Sequence, residues 1–193
     1  MAYTLDSPIK FLTEGLRGPY SGHQYEVPST VRILDFQELK LCVSGLHYTW
    51  VRNALMWFNP VAVDVVDLTP QHTRRDPGKA CTRVIEVPRI IPTWNARTQR
   101  LFAADVAERI NEGKHEIVAE MVGVARQRAR DEISQAEMIG YWRSLPDLIR
   151  IAFQHTNILS FDPIVAADSM ARQVQGRPWA SELFLSYLNG ERG

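Results

Sequence analysis

The chain has 193 residues, with 22 Lys+Arg against 22 Asp+Glu, so its formal net charge is zero. Hydrophobic residues make up 45% and charged residues 23%, the balance of an ordinary globular domain. This excludes global disorder, a collagen-like fibre and a disulfide scaffold, and it argues against nucleic-acid binding through bulk charge.

The first residues, Met1 to Asp6, have neither a basic start nor an apolar run, so no export leader is expected. No stretch is long and apolar enough to read as a membrane span. The two cysteines, Cys42 and Cys81, do not form a C-x-x-C pair. They read as small buried hydrophobes in a reducing compartment rather than as a bridge. The expected location is the cytoplasm, where the chain either works or is assembled into something larger.

Taken in chain order, residues 1–92 read as an irregular β-containing part. Eight of the eleven prolines fall there, along with the glycine-rich turn Gly15 to Gly22, and such dense punctuation permits only short elements. Tyr3 to Phe11 reads as a short strand. Gln24 to Leu34 reads as an extended segment with Pro28 at an edge or bulge. Asp35 can cap a short helix through Val43, with Glu38 at the capping-box position and Gly45 closing it. Leu46 to Phe58 reads as a second helix ended by Asn59-Pro60, its aromatics going to a core rather than to a stacking site. Val61 to Leu68 and Thr82 to Ile91 are strand candidates, the latter interrupted by Pro88.

Residues 93–193 read as a helical bundle. Leu101, Phe102, Val106 and Ile110 mark a helix from Asn95 to Asn111. His115 to Tyr141 carries one long helix or two, with Gly123 and Ser134 as weak points. Pro146 opens a helix through Phe153. Asp162 caps another with Pro163 at its first position, closed by Gly176, and Pro178 opens the last, ending at Gly190. The expected fold is therefore α+β: a small irregular β-containing N-terminal part followed by a C-terminal helical bundle.

The zero net charge is unevenly spread. Residues 1–69 hold five basic and seven acidic side chains, residues 70–130 hold twelve and seven, and residues 131–193 hold five and eight. Arginine outnumbers lysine 18 to 4, and its planar fork suits bidentate pairing at interfaces. The basic clusters are Arg74-Arg75 and Arg126, Arg128 and Arg130. They read as a solvated or salt-bridged surface, as phosphate contacts, or as one face of a subunit contact.

Compact catalytic signatures are missing from the sequence. His115-Glu116 cannot complete a zinc-protease helix because residue 119 is alanine. Asp76 to Thr82 contains Gly78-Lys79 but lacks the upstream glycine of a phosphate loop, and Ala80 stands where a magnesium-binding hydroxyl belongs. There is no G-x-G-x-x-G and no G-x-S-x-G. The chain is therefore read as no enzyme, with no metal and no cofactor. An active site assembled from scattered residues, a Cys–His pair included, stays as a third reading after assembly and nucleic-acid binding.

Thr4-Leu5 followed by Pro8-Ile9 and Phe11, then the extended Tyr25 to Leu34 and later helices, resembles tailed-phage assembly proteins of the tail-chaperone or baseplate-hub kind. The likeness covers residues 1–40 and departs from that pattern in the Gly/Pro-rich insertion between the strands. It implies a non-catalytic structural or assembly subunit of a larger particle, such as a phage tail or baseplate, with other protein subunits as partners in a homo- or hetero-oligomer. The alternative is an arginine-mediated nucleic-acid-associated protein. The residues expected to make contacts are Arg17, Tyr20, Tyr25, Arg74, Arg75, Arg126, Arg128, Arg130 and Trp179. They lie on the segment Arg17 to Tyr25, the loop Thr69 to Ala80, the arginine-rich helix and the last helix.

Overall fold

The computed structural model describes residues 2–33, 38–41, 44–153 and 157–193, without the side chain of residue 152. The fold is α+β. Strands β1 (Pro8–Leu12), β3 (Leu46–Trp50), β4 (Val61–Asp64), β6 (Arg74–Arg75) and β7 (Ala80–Thr82) form an antiparallel sheet in the order β4-β1-β3-β7-β6. A second antiparallel sheet has the order β2-β8-β5, from β2 (Ser29–Arg32), β8 (Val84–Val87) and β5 (Val66–Asp67). Helices α1 (Ala96–Asn111), α2 (Glu116–Ala129), α3 (Gln135–Ser144), α4 (Asp147–Phe153), α5 (Pro163–Gln173) and α6 (Pro178–Leu188) follow. Among the described residues, no helix is long and apolar enough to cross a membrane.

Two apolar cores meet at β1. Successive side chains of a strand point to opposite faces. Ile9 and Phe11 enter a core with the helices, while Leu12 enters a second core with Leu46, Tyr48, Val63, Ile85 and Val87. The neighbouring β4 divides the same way, with Ala62 on the helical side and Val63 on the other. The helical core draws on both 1–92 and 93–193. Its centre is an aromatic cluster in which the Phe58 ring lies 4.7 Å from Trp94, 4.9 Å from Phe184 and 5.4 Å from both Phe11 and Phe102. Polar ties reinforce the junction: Tyr3 N donates to Asn189 Oδ1 at 2.7 Å, Thr93 Oγ1 to Leu188 O at 2.7 Å and Ser181 Oγ to Arg52 O at 2.8 Å.

The helix boundaries follow local chemistry. Asn95 accepts from Arg97 N and Thr98 N, and Thr98 Oγ1 accepts from Asn95 N, a reciprocal cap on α1. Ser134 and Glu137 do the same for α3. The stretch His115 to Tyr141 is thus two helices, broken where Asp131 turns left-handed (φ 58°) and Ser134 starts a new cap, while Gly123 stays inside α2. Asp162 caps α5, with Pro163 at its first position.

Two expected helices are corrected. Leu46 to Phe58 is not one helix but strand β3 followed by a 3-10 turn over Val51–Met56. Leu46, Tyr48 and Trp50 alternate into the inter-sheet core, and only from Val51 onward does burial turn to the helical core. The β preference of Tyr48, Thr49 and Trp50, realised by pairing on both sides, overrides the helical spacing. The helix expected from Asp35 to Val43 lies partly outside the described residues. In the part that is described, Lys40 forms an antiparallel bridge with Ser44, which a helix would not allow.

Phe58→Ala removes the ring that touches four other aromatics. The expected loss is about 3–5 kcal/mol of unfolding free energy, seen as a lower urea midpoint with an unchanged m-value. An unchanged midpoint would mean that the cluster is not the centre of the core.

Candidate functional site

A pocket of about 350 Å³ opens beside β1 and β3, a volume suited to a small ligand. Lys10, His47, Thr49 and Lys79 supply its polar groups, and Phe11, Pro19, Tyr20, Tyr48 and Trp57 supply apolar wall. Among the described residues, no carboxylate lines it.

Lys10 is central. It follows Ile9 on β1 and so shares the Leu12 face, at a position where a strand buried on both sides would normally carry an apolar residue. Only 9% of it is exposed. The β1–β3 register runs through Pro8↔Trp50 and Ile9↔Thr49, and the Lys10 ammonium then reaches across to donate to His47 O at 2.6 Å. Its Nζ also lies 5.2 Å from the centre of the Tyr25 ring. Burial lowers its pKa from 10.5 to about 8, and the charge of Cys81 opposes that shift only in part.

Two short segments complete the pocket. In the first, Arg17 and Gln24 form an antiparallel bridge that closes a loop, and the tip Gly18 to Ser21 lines the cavity. A Cβ on Gly18 would stand 2.5 Å from Ser21 Oγ, so a larger residue there would have to turn the serine hydroxyl aside. Tyr20 at this tip is 84% exposed yet meets the Trp57 ring edge-on at 6.3 Å, which puts it at the rim. The second segment is the turn after β6, where Asp76 Oδ1 accepts from Gly78 N and Lys79 N, both at 2.8 Å. Thr49 Oγ1 and Asn53 Nδ2 hold the same turn through Gly78 O and Pro77 O. These contacts place Lys79 Nζ 5.0 Å over the Trp57 ring.

Burial lowers the pKa of His47, and the charges of Lys10 and Lys79 lower it further. Burial raises Tyr25 to about 12. Burial together with the charge and hydrogen bond of Asp67 raises Tyr48 to about 12. The thiol of the buried Cys81 donates to Ser44 O at 2.9 Å. Gly45, in a left-handed conformation (φ 115°), lets the chain pass a sulfur that a Cβ would meet at 2.2 Å.

The residues singled out from sequence are dispersed. Tyr20 lines the pocket, and the exposed Arg17 holds Gln24 Oε1 at 3.1 Å beneath it. Tyr25 is corrected: it is only 2% exposed and lies under Lys10, because the aromatic side chain fills the inter-sheet core. Arg74 faces Glu38 at 3.8 Å, and Arg75 lies 5.9 Å over Trp50. Arg126 clamps α2 to α1 through Asp105 at 2.7 Å and Glu108 at 2.6 Å. Asp105 also accepts from Tyr187 and Arg192. Arg128 pairs with Asp131 at 2.6 Å and Arg130 faces Glu132 at 3.9 Å. Trp179 packs under Arg109 at 4.3 Å. The α2 arginines therefore answer carboxylates of this chain, which removes support from a phosphate-contacting face.

Lys10, His47 and Lys79 were not picked out from sequence. The signal for Lys10 is a lone lysine inside the apolar run Pro8-Ile9-Lys10-Phe11-Leu12, Lys79 shows only in the incomplete phosphate-loop pair Gly78-Lys79, and His47 has no local mark. Cys42 lies outside the described residues. Among those described, no three His, Cys, Asp or Glu side chains converge as a metal site would need. No family model matches the chain, and neither a curated protein nor a solved structure is significantly similar to it.

Lys10→Met keeps the shape and deletes the buried charge. A group whose folded pKa lies below its unfolded value weakens folding once it is protonated in both states. The penalty is full below pH 8 and fades as pH rises toward 10.5. The variant should therefore gain most on the wild type below pH 8, with the gap shrinking by on the order of 1–3 kcal/mol up to pH 10.5. Urea melts of both proteins across that range read it directly, and a gap that stays constant with pH would refute the burial of a charged amine.

Proposed function

We propose that this chain is a binding module whose pocket takes a small anionic molecule with a flat apolar body. One observation carries the reading: Lys10 is a buried lysine with no carboxylate partner among the described residues, and it lies in the wall of a ligand-sized cavity. A buried charge is ordinarily paired. One backbone carbonyl uses one of the three ammonium hydrogens, and an incoming carboxylate or phosphate would satisfy the rest. Lys79 adds a second positive charge, while Tyr20, Tyr48 and Trp57 supply faces for a ring or chain.

Titration with benzoate and with phenyl phosphate, followed by tryptophan fluorescence and thermal melting, tests the reading. Lys10→Met and Lys79→Met should each weaken binding about tenfold or more, and Lys114→Met should not. Failure of both probes to shift the melt of a folded wild-type chain would sink it.

A second reading is favoured by a different observation. Leu148 is 80% and Ile151 60% exposed, one helical turn apart on α4, and Phe161 nearby in sequence is 64% exposed. Exposed apolar side chains that share a face mark contact surfaces. This supports a structural or assembly subunit of a larger particle, a phage tail or baseplate included, put together in the cytoplasm. Under this reading, size exclusion with light scattering gives an oligomer for the wild type. The double variant Leu148→Glu/Ile151→Glu gives a folded monomer. A wild type that is monomeric at every concentration removes the self-associating form of the idea.

A further inference from the structure

We propose that the outer edge of β2 pairs with β2 of a second copy of this chain, antiparallel and centred on Val31. This rests on the assembly reading and adds a second contact to it. The α4 face joins chains in pairs, and the β2 edge joins one pair to the next.

The free edge follows from the register. β2 runs along β8 from Ser29↔Val87 to Arg32↔Val84, and Ile33 N continues the ladder to Arg83 O at 3.0 Å. In an antiparallel pair, residues bonded to the neighbour alternate with residues that are not. Ser29, Val31 and Ile33 therefore turn their N–H and C=O groups to β8, while Thr30 and Arg32 turn theirs outward. β2 ends the order β2-β8-β5, and no described residue bonds the outward groups of Thr30 or Arg32.

The other sheet edges are guarded. Along β4, Asp64 N donates to Arg89 O at 3.0 Å and Ile91 N to Ala62 O at 2.8 Å, so a chain segment covers it. β5 and β6 have two residues each, and both residues of β6 are arginines. Cover, shortness and charge are the means by which natural sheets keep their edges from pairing. β2 has four residues, Ser29–Arg32, and a single charge at its end.

The edge is complementary to itself. Thr30 and Arg32 flank Val31, so a two-fold axis at Val31 sets Thr30 opposite Arg32 of the second copy. Each then exchanges both backbone bonds with the other. Val31 meets its own copy in a non-hydrogen-bonded pair, where side chains approach most closely. Val31 is half-buried against the inter-sheet core, and the pairing extends that core across the axis. The charges agree as well. Thr30 and Arg32 are exposed, and Glu86 lies beside Thr30 on the same face of the sheet. Arg32 of the second copy reaches over Thr30 toward that carboxylate, and no like charges stand opposite each other. The zero net charge of the chain sets no overall repulsion against a second copy.

Size exclusion with light scattering over a range of concentrations tests the contact. The wild type should grow past a dimer. Thr30→Lys, which sits beside Glu86 and leaves the fold intact, sets a cation against Arg32 of the second copy. It should stop assembly at the dimer and raise the concentration needed for larger species about tenfold or more. Thr30→Lys/Arg32→Glu turns both facing pairs into opposite charges and should restore growth. The α4 variant Leu148→Glu/Ile151→Glu stays monomeric, because a four-residue edge alone is a small contact. Growth of Thr30→Lys equal to the wild type would overturn the edge contact and leave the α4 reading standing. A double variant that fails to regain growth would overturn the Val31-centred register. A wild type that is monomeric at every concentration would overturn both readings.

Discussion

The structure depends on β1 being buried on both faces. A strand in that position has no solvent side, so every one of its side chains must enter one core or the other. Ile9 and Phe11 go to the helices and Leu12 goes between the sheets. The arrangement joins the two textures of the chain, because the same five residues are wall to the aromatic cluster and floor to the inter-sheet core.

The helical layer is bound to that strand by shape rather than by charge. Phe11, Phe58, Trp94, Phe102 and Phe184 interlock with tilted and edge-on rings, the geometry aromatic pairs prefer. Charge serves at the margins. Asp105 gathers Arg126, Tyr187 and Arg192, so one carboxylate ties α1 to α2, α6 and the C-terminal segment. Arg100, buried against the loop after α4, donates to Ser160 O at 2.9 Å and Phe161 O at 3.2 Å and is lowered to about 10, first by burial. This cation is spent on two backbone carbonyls, and it fixes the backbone that displays the exposed Phe161 ring. Lys10 differs in having a cavity in front of it.

Much of the architecture was legible in the sequence where local chemistry decides it. Asn95, Asp162-Pro163 and Pro178 mark the starts of three helices, because a helix start is set by the residues next to it, whereas Ser134 reads from sequence only as a weak point and shows as a cap in the structure. The stretch Leu46 to Phe58 went the other way. Its spacing fits a helix, but pairing with β1 and β7 made its first five residues a strand, and pairing is a property of distant partners. The site was legible only as an oddity, a lysine in an apolar run. His47 and Lys79 gain meaning from Lys10 alone, since they are 37 and 69 positions further along the chain.

By itself, then, the sequence determined the class of the fold, the helix starts and the absence of compact catalytic motifs, all of which rest on contacts within a few residues. Tertiary structure decided which arginines are already paired, that Tyr25 is core, and that a lysine of β1 faces a cavity beside a second lysine. Those facts depend on burial and on through-space charge. Neither exists until β1, β3 and the Asp76 turn are packed together.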